Sequence, residues 1–345
     1  MSNKLDATED LLKLSFIPGL RGVALEEIAK YKDLIVVHEG EDKIYLEPVS
    51  DLKNLLSLKS VLKAYVVRIG AKLNPIYLSK HKSVLGDLIH IALKTSEDKF
   101  KTFKLVCAGK ESMEVREIAS YITETYKLAR AEDPDMEICI GKQEDVWELA
   151  VRLTPRPLSV RDYRVANIKG GLNPTIAYAV NTLCDLNAAK NYLNVFSGSG
   201  TLLIEAGLFN LKLKLTGFDI NGKSNALAAE NIKKAGLIKR VDLKTTDIFD
   251  SPELGKFDVI TSDLPFGMQI SKEEDLDKLY ERFVRYCEEA LSQRGILVVY
   301  TTEHKLLYQK LIDSRFKITK TLELKVPTSV ADSYIYPRIF VCKFK

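Results

Sequence analysis

The chain has 345 residues, 46% of them hydrophobic, and its 51 Lys and Arg against 47 Asp and Glu leave a net charge of +4. That length predicts two or three domains with ample material for cores, and the near balance of charge excludes a polycation. The five cysteines form no CxxC pair, and the four histidines stand at no metal-ligand spacing from them; a zinc centre is not expected, and buried thiols in a reducing compartment are. Met1 to Lys13 is too polar and acidic for a secretory signal. No apolar run reaches the roughly 20 residues that a bilayer requires. A cytoplasmic protein without membrane contact is therefore expected.

Leu14 to Phe16 reads as a strand, Ile17-Pro18-Gly19-Leu20 as a turn and Val23 to Lys30 as a helix. Leu34 to His38 and Lys43 to Leu46 flank a polar, glycine-containing turn, as a hairpin requires. Leu52 to Leu62 returns to helix. A second group follows: a strand over Tyr65 to Ala71, helices over His81 to Lys94 and Glu114 to Leu128, and strands over Thr102 to Ala108, Glu137 to Ile140 and Val146 to Leu153. Charge is concentrated here. From Asp51 to Lys110 stand 12 Lys and Arg against 4 Asp and Glu, an excess suited to a phosphate backbone or simply to a solvated helical surface.

Two prolines, several basic residues and a Gly-Gly pair between Leu153 and Gly171 read as a linker. Beyond Asn173 short apolar runs alternate with amphipathic stretches. Strands are predicted over Tyr192 to Val195, Leu215 to Phe218, Val241 to Thr245, Phe257 to Ser262 and Gly295 to Tyr300. Helices are predicted over Pro174 to Cys184, Thr201 to Phe209, Ser224 to Ala235 and Leu276 to Leu291. Such alternation implies a parallel sheet covered on both faces. Phe316 to Leu324 and Tyr334 to Phe344 suit an antiparallel hairpin at its edge.

The first strand of this region runs into Phe196-Ser197-Gly198-Ser199-Gly200-Thr201 and a helix. Glycines let the backbone turn sharply and approach a ligand, and a helix N-terminus offers free N–H groups. Leu203 stands where a third glycine would complete GxGxxG, which disfavours a dinucleotide oxidoreductase. The next strand ends at Asp219, placed to accept from ribose hydroxyls. The one after ends at Asp247, placed to accept from an adenine amine.

The fourth strand ends in Asp263-Leu264-Pro265-Phe266-Gly267. An exocyclic base amine is a poor nucleophile because its lone pair is delocalised into the ring. The Asp263 carboxylate and the Leu264 carbonyl are two acceptors for its two protons, and they favour a pyramidal nitrogen while stabilising the charge that develops there. Pro265 fixes the backbone, and Phe266 offers a stacking face. A plain β-turn uses the same residue types; the ordered series of glycine turn, Asp219, Asp247 and Asp263 favours the catalytic reading.

This series resembles the class I S-adenosylmethionine-dependent methyltransferases. Asp263-Leu264-Pro265-Phe266-Gly267 is similar to the form of the amine-methylation motif found in THUMP-domain tRNA guanine-N2 methyltransferases. Asp133 to Ile140 resembles the strand that closes a THUMP module, Phe16 to Glu27 the opening of the small ferredoxin-like domain before it, and Arg161 to Arg164 with Leu172 to Ala177 the approach to the catalytic domain. The resemblance implies an α/β fold: a Rossmann-like class I methyltransferase domain, doubly wound with a C-terminal antiparallel hairpin, preceded by α+β ferredoxin-like and THUMP domains. The expected boundaries are 1–64 for the ferredoxin-like domain, 65–155 for the THUMP RNA-binding domain, 156–172 for a linker and 173–345 for the methyltransferase domain.

The resemblance implies methyl transfer from S-adenosylmethionine to N2 of a guanosine in tRNA, at position 6 of the acceptor stem, by a monomer that grips the stem and its 3′ end. It implies a catalytic set of Asp263, Leu264, Pro265 and Phe266. It places Asn194, Phe196, Ser197, Gly198, Gly200, Thr201, Asp219, Ile220, Asp247, Ile248 and Asp263 around the cofactor, with Thr201 as helix cap and Glu205 in a structural role. RNA contacts are expected at Lys72, Lys80, Lys82, Arg161 and Arg164; no metal is implied. One departure stands out: Asn194 replaces the family's Asp and removes a charge near the methionine amino group. Alternatives are an N2-guanine methyltransferase acting at another tRNA, rRNA or small-RNA site, and a non-catalytic tRNA-binding protein with a degenerate cofactor site.

Overall fold

The computed structural model describes residues 10–70, 73–95, 100–107, 112–143, 146–168, 170–248, 250, 255–265, 273–328, 330 and 332–345. They form two units, one of residues up to 16 together with 24–159, the other of residues 17–23 together with 160–345.

From the N-terminus the chain forms β1 (Leu11–Ser15), α1 (Arg21–Ile28), β2 (Val36–Glu39), β3 (Lys43–Leu46), α2 (Lys53–Ser57), β4 (Lys63–Gly70), α3 (Leu78–Thr95), β5 (Thr102–Cys107), α4 (Met113–Tyr126), β6 (Ala129–Arg130), β7 (Met136–Gln143) and β8 (Val146–Arg152). The eight strands make one sheet in the order β2-β3-β1-β4-β8-β7-β5-β6. β1 pairs with both β3 and β4, so the sheet runs without a break across position 64. Alternation decides its two faces. Leu12 and Leu14 of β1, Val66 of β4 and Ile138 of β7 pack with Leu85 and Leu88 of α3 and Ile118 and Ile122 of α4. Lys13, between Leu12 and Leu14, pairs with Glu148 at 2.5 Å, and Tyr45 donates to the same carboxylate. Glu137 accepts from Lys63 and Tyr65 in the same way. Buried charge thus meets an opposite charge and a phenol.

The second unit continues with α5 (Pro174–Thr182), β9 (Asn191–Val195), α6 (Thr201–Phe209), β10 (Lys214–Asp219), α7 (Gly222–Lys234), β11 (Val241–Thr245), β12 (Phe257–Asp263), α8 (Glu273–Ala290), β13 (Leu291–Thr301), α9 (His304–Ile312), β14 (Phe316–Glu323), β15 (Val326–Pro327), β16 (Tyr334–Ile335) and β17 (Arg338–Phe344). Its main sheet is ordered β11-β10-β9-β12-β13-β17-β14. The first five strands are parallel, and β17 runs antiparallel between β13 and β14. This is the doubly wound sheet with a terminal antiparallel pair that the sequence predicts. Strand order reverses between β9 and β12, and a ligand crevice is expected outside their carboxyl ends. No described helix is long and apolar enough to cross a membrane.

Candidate active site

The carboxyl ends of β9, β10 and β12 border a cavity of about 530 Å³. It brings together Asn194, Phe196, Ser197, Gly198, Thr201, Asp219, Ile220, Asp263 and Pro265. Asn221, Ser224 and Leu279 add to the wall, as do Ile168, Gly170, Gly171 and Leu172 from the stretch expected to be a linker.

The glycine turn owes its shape to three left-handed residues: Phe196 at φ 56°, Gly198 at 52° and Gly200 at 79°. Gly200 is also the N-cap of α6, and a Cβ there would stand 3.3 Å from that of Ala228. Thr201 is therefore the first helical residue and not the cap; its hydroxyl lies 3.4 Å from Ser199 Oγ. Asp219 braces the turn. Its Oδ2 accepts from Gly198 N at 2.8 Å and its Oδ1 from Asn221 N at 2.9 Å. Each carboxylate oxygen keeps a lone-pair site for a further donor.

Asn194 is fully buried. Its Nδ2 donates to Thr261 O at 3.1 Å and to Val195 O at 3.3 Å, while its Oδ1 has no partner. The amide thus spends both protons on the sheet and leaves an acceptor free. Ser197 Oγ is likewise buried and unpartnered.

Asp263 ends β12, and burial pushes its carboxyl up to about 7. Leu264 is fully buried among core side chains, and its N–H donates to Tyr300 O at 3.0 Å. A proline there could make neither that bond nor the same core contact. Tyr280 of α8 donates from Oη to Pro265 O at 3.0 Å and shares a hydrogen bond of 2.8 Å with Thr301 Oγ1. Thr301 Oγ1 accepts in turn from Glu303 N at 3.0 Å. Phe266 lies outside the described residues, as does Lys72.

Other expected site residues stand elsewhere. Ile248 is a core residue, packed with Phe218 and Ile260. Half-buried Asp247 lies after β11 and is not among the described residues that line the cavity. Arg161 is 6% exposed and pairs with Glu205 at 3.0 Å; Tyr163 Oη donates to the same carboxylate at 2.7 Å. The expectation that Arg161 meets a phosphate is thereby corrected, because its guanidinium serves a buried ion pair. Half-buried Arg164 has its Nε enclosed without a partner. Lys80 is exposed, while Lys82 lies 3.6 Å from Glu117.

Two contributors escaped sequence reasoning. Asn231 of α7 accepts from Ala166 N at 2.9 Å and donates to Ala166 O at 2.8 Å and Ser199 O at 3.1 Å, which ties the 160–172 stretch to the glycine turn. An asparagine on the inner stripe of an amphipathic helix was its only signal. Tyr280 is the other; in sequence it is one more aromatic at an apolar position.

Residues 161–332 match the family described as RMKL-like, methyltransferase domain. The chain carries an RMKL-like methyltransferase domain. Sequence relatives include the tRNA (guanine(6)-N2)-methyltransferase of Thermus thermophilus, 30% identical over 213 residues that span 60% of this chain and 60% of that protein. The U6 snRNA (guanine-N(2))-methyltransferase THUMPD2 of Bos taurus is 28% identical over 173 residues, 50% of this chain. The match spans 33% of the bovine protein's length. The crystal structure of TrmN from Thermus thermophilus superposes with a TM-score of 0.78 at 21% identity, covering 98% of this chain and 100% of that one. This is a likeness of fold.

Proposed function

We propose that the protein transfers a methyl group from S-adenosylmethionine to the exocyclic N2 of a guanosine in tRNA, at position 6 of the acceptor stem. The observation that carries this reading is the cavity itself: a half-buried carboxylate, a braced glycine turn and two residues with unpartnered buried oxygens line one space. The residues fit the cofactor. Asn194 Oδ1 and Ser197 Oγ are acceptors for a methionine ammonium, and the spare lone pairs of Asp219 suit ribose hydroxyls. Asp247 is assigned to the adenine amine, although it stands off the cavity wall. When bound, S-adenosylmethionine supplies an activated methyl group on a sulfonium sulfur.

The chain's own part is to hold the amine. Asp263 and the Leu264 carbonyl accept its two protons, and the carboxylate stabilises positive charge on the nitrogen. A carboxyl near 7 is matched to hold the released proton at neutral pH. Most of the acceleration is assigned to alignment. Residues 65–155 are assigned to a THUMP unit that grips the acceptor stem and 3′ end, with residues 1–64 as the ferredoxin-like unit before it and 173–345 as the catalytic domain. The protein is assigned to the cytoplasm as a monomer. The free Asn194 Oδ1 supports a working cofactor site over a degenerate one.

Incubation with radiolabelled S-adenosylmethionine and unmodified tRNA, followed by nucleoside mass spectrometry and site mapping, is expected to show N2-methylguanosine at position 6. Label in adenosine or cytidine alone rejects the amine assignment. N2-methylguanosine at another position rejects only the position.

A further inference from the structure

The connection that follows β14 and leads into β17 leaves the sheet at the same carboxyl end as Asp263, two strands away from it. The strand registers fix this. Asp263 pairs across to Tyr300, Tyr300 to Ile339 and Ile339 to Leu322, while Thr301 pairs with Arg338. With neighbouring strands about 4.8 Å apart, β17 lies roughly 10 Å from the strand that ends in Asp263.

It is held as a built element. β15 and β16 pair antiparallel, Val326 with Ile335 and Pro327 with Tyr334. Arg338 and Glu323 close the base at 2.6 Å, and Leu324 N donates to Pro337 O at 2.9 Å. The Pro18-Gly19 turn docks on it. Lys325 N donates to Pro18 O at 3.1 Å. Gly19 has φ 98°, and a Cβ there would fall 2.0 Å from Glu323 O, so only glycine fits.

This braced hairpin presents aromatic surface to solvent. Tyr334 is 42% and Tyr336 51% exposed. Tyr334 lies in β16 and Tyr336 just beyond it, where the following Pro337 favours an extended backbone. Lys325 Nζ sits 4.3 Å from the Tyr334 ring centroid, and Lys305 is an exposed cation at the start of α9 beside the same strand end. Aromatic faces interleaved with cations, held rigid, are what unstacked nucleotides bind.

We propose that the hairpin is a stacking rim that holds an unpaired RNA nucleotide next to the one whose amine enters the cavity. This rests on the assignment of an RNA base as substrate and adds that the strand is opened around the target. The test uses the full chain. Tyr334→Ala, Tyr336→Ala and the double variant are compared with the parent for binding a short oligouridine and a duplex RNA of the same length by fluorescence anisotropy. S-adenosylmethionine binding is followed by calorimetry as the control for folding. Each alanine is expected to weaken oligouridine binding on the order of 5- to 100-fold, with cofactor and duplex binding unchanged, and Tyr336→Trp is expected to preserve it. Parental oligouridine affinity in the double variant, or no oligouridine binding by the parent protein, overturns the proposal. Equal losses for duplex and oligouridine overturn it as well. If no N2-methylguanosine forms but the selective loss is seen, the activity assignment fails and the rim stands.

Discussion

The carboxyl of Asp263 stands near 7 because burial at the end of β12 disfavours its charge. An acceptor of amine protons has to be ionised. The kcat/KM for tRNA is therefore expected to rise about tenfold per pH unit up to neutrality and to level off above it. A rate flat from pH 5 to pH 9 would remove this ionisation from the reaction. The same residue sets a stability trend. Its folded value lies above the ordinary 3.8, so between those two values the native state keeps a proton that the unfolded chain has released. Its contribution to stability falls as pH rises through that window, and the full loss is present above it. Asp263→Asn is expected to raise Tm at pH 8 and to leave it nearly unchanged below pH 4, read by thermal unfolding. Asp263→Ala is expected to abolish transfer with S-adenosylmethionine affinity nearly unchanged.

Arg161 shows where residue-scale reasoning from sequence stops. A basic run beside a Gly-Gly pair looks like a phosphate contact, but its partner Glu205 is 44 residues away, and nothing in the local pattern reports the burial. Arg161→Ala is expected to cost about 3–5 kcal/mol in denaturant unfolding, the usual result of leaving one member of a buried pair alone. A surface phosphate ligand would lose tRNA affinity and little stability. At Asn194 the departure from the family pattern was legible and the reason was not. It turns on which backbone groups the side-chain amide reaches in the folded sheet.

At the scale of elements, most of the second unit was legible because parallel strands buried on both faces are short apolar runs, as in β9 and β12; β11, half-exposed at the sheet edge, was legible from its alternation of apolar and polar residues. The helix α9 was not read, since nine residues between two strands give little more than two turns of periodicity. The stretch 156–172 carried linker chemistry, yet residues 160–172 belong to the second unit, with Asn231 and Glu205 holding them. Helix α8 contributes more than a packed face, because Tyr280 grips the peptide that follows Pro265. Tyr280→Phe keeps the ring and loses that bond. It is expected to lower kcat several-fold while KM for S-adenosylmethionine stays within about twofold, with Thr301→Val reproducing the effect and the double variant adding little. Additive losses would mean that the two hydroxyls act separately.

For the whole molecule, the eight-stranded sheet was only half legible. Apart from β6, which was not read, its strands were read nearly in place, but the pairing of β1 with β4 joins segments on either side of the expected boundary at 64, and pairing between distant strands leaves no mark on either one. The basic excess between Asp51 and Lys110 lies within this unit, and its role is a question of salt. If it tracks a phosphate backbone, log Kd for tRNA varies linearly with log salt concentration, with a slope of about 0.7–0.9 per neutralised phosphate. Exposed Lys80 is free to contribute a full contact, whereas Lys82 is already shared with Glu117. Lys80→Glu is therefore expected to weaken tRNA binding and flatten the slope by about one, Lys82→Glu to do so less, and Lys72→Glu to complete the series. The affinity for S-adenosylmethionine, whose proposed site lies in the other unit, is expected to stay constant across the variants. An unchanged slope in all three would return these lysines to an ordinary solvated surface and move the RNA contacts elsewhere.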